Sequence, residues 1–469
     1  MGSSSSIPWN TSASACTSTS DPERQRRIVR HERLARGGRV LTAGLLLAAL
    51  GAISACADRP GATAPITLVF KHAHILGQGN PIPKLIAEFE ARHPGVHVQA
   101  EALPWNSDEQ RQFFVINLEG DSPGFDVMML DVIWVPEFAR AGWLLDITPM
   151  LAPDELAVFF PSTVEAATYR GRVWGMPWNM NVGLLYYRRD LLDKYGLKPP
   201  ETWTDLVAQT ERIRAAERNP RLDGVLWQGK QYEGLMVNVL EGLWAEGTEL
   251  LGEGGAIFPD PARAEAVLAF MRGLITRGVS PPWTTAADEE LTRRAFGRGE
   301  AVFLRNWPYA LDLLERGDSP VRGRVGVAPL PRHRDGARGA GSTGGSHLAI
   351  HRGTRHPDLA LELVRALTSE SAQRLMVSGA ALYPTRVALY HAPDLVRAQP
   401  ALPAIAALTL AGRPRPVTPY YVTISTLLQP ELSAALVGVK APARAVADAR
   451  RAVGFVLRDM RAAAPGAPR

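Results

Sequence analysis

The chain has 469 residues, 46% of them hydrophobic, 21% charged and 7% aromatic, with a formal net charge of +5. These fractions exclude a disordered, collagen-like or coiled-coil protein, and the length allows two or three domains with sizeable cores. Two cysteines, Cys16 and Cys56, exclude a disulfide scaffold and a multi-thiolate metal site.

The chain opens on an uncharged Ser/Thr-rich stretch, followed by seven arginines (Arg24, Arg26, Arg27, Arg30, Arg33, Arg36, Arg39) and the uncharged run Val40 to Ala57. A basic segment, a short apolar run and small residues at its end describe a secretory signal. Ile53-Ser54-Ala55-Cys56 resembles a bacterial lipobox, in which the Cys is acylated and becomes the new N-terminus. A membrane anchor ending in a chance Cys is the competing reading, since the run is just long enough to span a bilayer. Residues 1–55 are expected to be a lipoprotein leader and residues 56–64 a polar tether, with Cys16 incidental. Seven of the 52 basic and three of the 47 acidic residues precede Cys56, which leaves 45 against 44 for the remainder. The basic balance therefore belongs to export, and the nucleic-acid reading that it invites loses its support.

Beyond the tether, ITLVF (66–70) reads as a buried strand. Residues 80–92 place Ile82, Leu85, Ile86 and Phe89 on one helix face, ended by Pro94-Gly95. Residues 96–100 alternate as a strand, 107–118 form a helix with Ser107 as its cap, 125–130 a third strand, and 136–141 a short helix closed by Gly142. This alternation predicts an α/β domain with a mostly parallel sheet, whose ligands bind beyond the carboxyl ends of the strands. Asp131 and Trp134 fall at such an end. A second α/β set is expected from Asn179, with a strand over 182–187, helices over 205–217, 232–244 and 261–277, and a strand over 301–304. Residues 339–345 (GAGSTGG) read as a flexible hinge, 347–350 as a strand, 357–367 and 369–377 as helices, and 430–463 as an Ala-rich helical tail on the outside.

No Walker loop, dinucleotide fingerprint, nucleophile elbow or zinc-protease motif occurs, and no cofactor is called for. His72 and His74 could share one face of a strand as metal ligands, but no third ligand is visible and hydrogen-bonded histidines are the expectation. Aromatics instead recur beside polar groups: Asp131 with Trp134, Trp178 with Asn179 and Asn181, Tyr232 with Glu233, Asn306 with Trp307 and Tyr309. Sugars need this mixture, their C–H faces stacking on rings while their hydroxyls meet carboxylates, amides and guanidinium groups. Core packing is the competing role of each ring taken singly. Asp131 and Glu233 also offer the carboxylate pair of a glycoside hydrolase, and a sugar-sensing receptor domain is a further alternative.

The stretches DVIWVPEFARAGWLLDIT (131–148), GMPWNMNVGLLYYRRDLLDKYG (175–196), WQGKQYEGLMVNVLEGL (227–243), AVFLRNWPYAL (301–311) and RPRPVTPYYVTIST (413–426) resemble the extracellular solute-binding proteins (family 1) of sugar ABC importers, in the trehalose/maltose-binding branch. The resemblance implies a two-lobe periplasmic-binding-protein fold with crossing hinge strands and a central ligand cleft, lobe 1 comprising 65–177 plus 346–388 and lobe 2 comprising 178–345 plus 389–469. It implies a non-enzymatic, monomeric lipoprotein in the cell envelope that passes a disaccharide to permease subunits, is held to the membrane by lipid on Cys56 and binds no nucleic acid. Carried over by motif, the ligand positions are Gln78, Asp131, Trp134, Asn179, Asn181, Glu233, Trp307, Tyr309, Gly345 and Arg413. Maltose/trehalose relatives often carry Asp where Asn181 stands, whereas mycobacterial trehalose-binding lipoproteins look Asn-like there, which favours trehalose slightly. Gln78 replaces a Glu of some relatives, and Ser346 a Trp.

Overall fold

The computed structural model describes residues 65–462, save 76–78, 105, 121–123, 318, 334–338 and 381. The leader, the tether, Cys56 and Gln78 lie outside the described residues.

The principal elements of the first lobe are β1 (Ile66–Ala73), α1 (Ile82–Arg92), β2 (Val96–Leu103), α2 (Ser107–Leu118), β3 (Val127–Asp131), α3 (Val135–Ala141) and β4 (Met176–Val182). The chain then enters a second lobe through β5 (Leu184–Arg188), α4 (Trp203–Glu217), β6 (Asp223–Leu226), α5 (Glu233–Ala245), α6 (Pro261–Thr276), α7 (Glu289–Gly297), β7 (Ala301–Asn306) and β8 (Val325–Ala328). It returns through β9 (Ser342–Ile350) and α8 (Pro357–Leu367), and ends with β10 (Arg413–Pro414), α9 (Tyr421–Leu436) and α10 (Pro442–Ala462).

The first sheet has 6 strands in the order β10-β9-β3-β1-β2, with β4 also paired to β9. Its β1, β2 and β3 run parallel, while β9 is antiparallel to β3 and β4. Helix α1 buries Ile82, Leu85, Ile86 and Phe89, the four positions of the sequence pattern, in one core with Leu68 and Phe70 of β1 and Leu361 and Val364 of α8. The second sheet has 4 strands in the order β8-β5-β7-β6. The carboxyl ends of β3 and β7 carry Asp131 and Asn306, so the residues that follow them are delivered to the space between the lobes.

Several expectations shift. The cap of α2 is Asn106, whose side chain accepts from the N–H groups of Asp108 and Glu109, one residue before the expected Ser107. The apolar run 182–187 is not one strand: it breaks at Gly183, where β4 leaves the first sheet and β5 begins the second. The sheet change therefore falls at Gly183, beyond the expected boundary between 177 and 178. Ser342 to Gly345 are not loop either but the start of β9. At the crossing Gly183 N–H donates to Ser342 O at 3.0 Å, and a Cβ on Gly341 would lie 2.1 Å from Gly183 O. Only glycine lets the two strands pass this closely. The C-terminal helices are not an outer layer: Leu428, Leu432 and Leu436 of α9 and Val446 and Val453 of α10 are buried in the core that also holds α5 and α6.

Candidate functional site: an interlobe cleft

A cleft of about 400 Å³ lies between the lobes. From the first sheet it takes Asp131, Asn179, Asn181, Gly345 and Ser346; from the second lobe, Tyr232, Glu233, Trp307 and Tyr309; and, from the segment after β10, Arg415. A second cavity of about 650 Å³ behind the crossing strands is lined by Pro199, Pro200, Leu330 and Leu408, and its two charged groups, Glu201 and Arg332, pair with each other at 3.3 Å. The convergent polar groups are in the interlobe cleft.

Asp131 closes β3, and Glu233 opens α5. One guanidinium joins them: Arg415 Nη2 donates to Asp131 Oδ1 at 2.8 Å and Nη1 donates to Glu233 Oε1 at 3.0 Å. Glu233 also accepts from Tyr421 Oη at 2.8 Å and from Ser425 Oγ at 2.6 Å, both on α9. Burial pushes the Glu233 carboxyl up, against the Arg415 charge and the two hydroxyls. Burial likewise opposes the charge on Arg415, but Asp131 and Glu233 outweigh it and hold the guanidinium above its ordinary value. Arg415 is thus a fixed cation in the cleft.

The other wall is aromatic and acidic. Trp307 Nε1 donates to Glu289 Oε1 at 3.3 Å, and Tyr232 Oη donates to Glu289 Oε2 at 2.6 Å. Tyr309 Oη donates to Glu290 Oε1 at 3.0 Å. Burial raises Glu290, but hydrogen bonds and charge from Arg293, with help from Tyr309, outweigh it and keep the carboxyl below its usual range. These tyrosine and tryptophan edges are pinned, so the ring positions are fixed before any ligand arrives.

Gly345 adopts φ +121°, and a Cβ there would lie 2.2 Å from Asn179 O. The backbone of β9 therefore forms the cleft floor with no side chain over it. Asn179 is buried beside it, and its Nδ2 has no hydrogen-bond partner among the described residues. Asn179 also lines the cleft, and an unpartnered buried donor on a lining residue is suited to a ligand acceptor.

Of the positions expected from sequence, the cleft gathers Asp131, Trp134, Asn179, Asn181, Glu233, Trp307, Tyr309 and Gly345. Trp134 does so mainly as packing: it is 2% exposed, with its ring 6.2 Å from Phe138 and 6.3 Å from Phe114. Arg413 is not brought to the cleft. Its Nη2 pairs with Glu249 at 2.6 Å and its guanidinium carbon lies 4.9 Å from the Trp244 ring, on the outside of the molecule. Arg415, two residues on in the same RPRP segment, occupies the cleft instead; the repeated Arg-Pro pair is the only sequence signal that marks it. Asp288, Glu289 and Glu290 also line the cleft and were hidden by their ordinary role as acids at a helix start. His72 is buried, bonded through Nδ1 to Ala73 O at 2.8 Å, and no group of three or more His, Cys, Asp or Glu among the described residues could hold a metal.

Residues 73–374 match the model of the bacterial extracellular solute-binding protein family. The chain belongs to that family. A probable ABC transporter-binding protein of Deinococcus radiodurans is 34% identical over 341 residues, which cover 71% of this chain and 80% of that protein. A mannitol-binding protein of Pseudomonas aeruginosa is 24% identical over 400 residues, covering 78% of this chain and 88% of that protein. Among solved structures, maltose-bound MalE3 of T. maritima is 36% identical with a TM-score of 0.78, covering 83% of this chain and 100% of that one. The two-lobe binding-protein fold is thereby established. The family is one of binding proteins and not of enzymes. The glycoside hydrolase reading falls with it, since Asp131 and Glu233 are ligated to one buried guanidinium rather than poised as a free acid and base. Family membership also puts the protein outside the cytoplasmic membrane, and among the described residues no helix is long and apolar enough to cross one.

Proposed function

We propose that this protein is a lipid-anchored receptor that captures a disaccharide of the maltose or trehalose type and delivers it to the permease of an ABC importer. The observation that carries the reading is the composition of the cleft: the rings Trp307, Tyr309 and Tyr232 line it together with Asp131, Asn179, Asn181 and Arg415. A sugar presents C–H faces to such rings and hydroxyls to such polar groups at once. The volume of about 400 Å³ falls within the range of small-molecule sites. Family membership and the name of the Deinococcus relative support an importer receptor, and the T. maritima neighbour supports maltose over a polyol, while the mannitol-binding relative is the main counterweight.

In this reading Asp131 and the two asparagines take hydroxyls from the first lobe, and Trp307 and Tyr309 stack from the second. Contacts drawn from both lobes reach full strength only when the lobes close, so the ligand shifts the population toward the closed form. The pivots are Gly183 and Gly341, where the strands change sheets. Acylation of Cys56 keeps the receptor near its permease.

Isothermal titration with maltose, trehalose, sucrose and mannitol tests the ligand. Disaccharide binding at micromolar level with weaker polyol binding supports the proposal; no saccharide binding at millimolar concentration sinks it. Anchoring is tested by mass spectrometry of the N-terminal peptide and by Cys56→Ser, which should release the protein from membranes.

A further inference from the structure

The stacking ring of the cleft rests on a charge pair outside the cleft lining. Arg305, in β7, has a side chain 2% exposed, and its partner Glu241, in α5, is 6% exposed. The Arg305 guanidinium carbon lies 4.1 Å from the centre of the Trp307 ring. Its Nε donates to Glu241 Oε2 at 2.8 Å and its Nη2 to Glu241 Oε1, a bidentate fork. Nη1 reaches Gln228 Oε1 at 3.3 Å, and Gln228 Nε2 returns to the Arg305 carbonyl at 2.9 Å. The guanidinium plane has little freedom left.

The same pair touches both strand crossings. Glu241 Oε1 accepts the backbone N–H of Ser342, the first residue of β9, at 3.0 Å. A Cβ on Gly183 would lie 2.0 Å from Glu241 Oε1 and 2.7 Å from Arg305 Nη2. One carboxylate thus binds the hinge backbone and one guanidinium, and that guanidinium supports the face of a cleft ring.

We infer that Arg305 and Glu241 are positioning residues: they set the tilt of Trp307 and tie it to the hinge, so that ring presentation and lobe closure are one coupled event. A buried pair that served stability alone would be replaceable by apolar side chains of similar volume. A planar cation locked bidentate beneath an indole fixes an orientation that neither lysine nor an apolar chain reproduces. The inference rests on the reading of Trp307 as a ligand-stacking ring.

The test uses Glu241→Gln, Arg305→Lys and the double variant Arg305→Met/Glu241→Leu in protein labelled with 5-fluorotryptophan. The Trp307 fluorine resonance is assigned with Trp307→Phe. In ligand-free protein the Trp307 line should move or split in all three variants. The double variant should melt within a few degrees of the parent yet bind the disaccharide at least about tenfold more weakly, the equivalent of about 1.4 kcal/mol. A Trp307 line that stays in place, or parental affinity despite a moved line, overturns the inference. Should the double variant not fold, isosteric Glu241→Gln carries both readouts. The fluorine measurement needs no ligand, so a parent protein that binds no sugar counts against the proposed function, while the resonance still decides the positioning role.

Discussion

Arg415 and Asp131 meet at 2.8 Å although they lie 284 positions apart in the chain. The contact ties the end of a first-lobe strand to a segment leading into the second-lobe helix α9. The same guanidinium holds Glu233 at the mouth of α5, so three elements converge on one buried cation. Its side chain is 4% exposed, against 22% for Asp131. In the proposed reading, that remaining exposure of Asp131 is what is left for a ligand hydroxyl.

Arg415→Met leaves two carboxylates close together with no cation between them. Breaking a buried pair by removing one partner costs about 3–5 kcal/mol, because an uncompensated charge stays behind. The expected result is a Tm lower by several degrees together with loss of sugar binding. Arg413→Ala is the contrast. Its pair with Glu249 is about half exposed, and such pairs contribute roughly 0–1 kcal/mol. Melting and titration of both variants should therefore separate two arginines that the sequence presents almost identically. A loss of affinity in Arg413→Ala equal to that in Arg415→Met would contradict the assignment.

Trp307→Ala removes the proposed stacking face and little of the core, since the ring is only half-buried. Aromatic contacts contribute about 0.5–1.5 kcal/mol beyond area burial, and the lost area adds to this. Affinity for a disaccharide is expected to fall by tenfold or more, with Tm nearly unchanged. Calorimetric titration and a thermal melt on one preparation check both halves. A large stability loss with little loss of affinity would assign the ring to packing.

What the sequence disclosed follows what local physics controls. The face of α1 was legible because four apolar residues at helical spacing can be buried only one way. The break at Gly183 was not, since VGLLYY is apolar throughout and nothing in its period marks a change of sheet. Trp134 and Trp307 look alike as aromatics beside polar groups. Whether a ring faces Phe114 and Phe138 or faces the cleft depends on partners distant in the chain. The choice between Arg413 and Arg415 has the same cause: Asp131 and Glu233 select one of them, and neither is local.

Gly345→Ala tests the cleft floor. The φ of +121° is disfavoured for any side chain, and the added Cβ would lie 2.2 Å from a backbone oxygen of β4. Strain of this kind costs about 1–3 kcal/mol before the clash is counted. The variant should lose stability, and the surviving folded protein should bind sugar weakly, because β9 must shift away from Asn179. A melt and a titration decide it; parental behaviour in both would mean that the strand yields without cost.

His347 is expected to steepen the acid limb of the stability curve, alongside His72, His351 and the carboxylates held below their usual range. It lies in β9 between Leu130 of β3 and Pro177 of β4, is 0% exposed, and neither ring nitrogen has a hydrogen-bond partner among the described residues. Burial lowers its pKa from 6.5 to about 3. In the unfolded chain the imidazole takes up a proton below pH 6.5, while in the folded chain it stays neutral down to about pH 3. The unfolded state therefore binds more protons across that window, and stability falls as pH drops through it, by up to about 1.4 kcal/mol per pH unit. Above pH 6.5 this contribution is flat. His347→Leu removes both the proton site and two unsatisfied nitrogens, each of which costs about 1–3 kcal/mol to bury. The variant should equal or exceed the parent at pH 7.5 and exceed it increasingly toward pH 4.5. Denaturant titrations at half-unit pH steps measure the difference. Parallel curves for parent and variant over pH 4.5–6.5 would show that His347 does not steepen the acid limb.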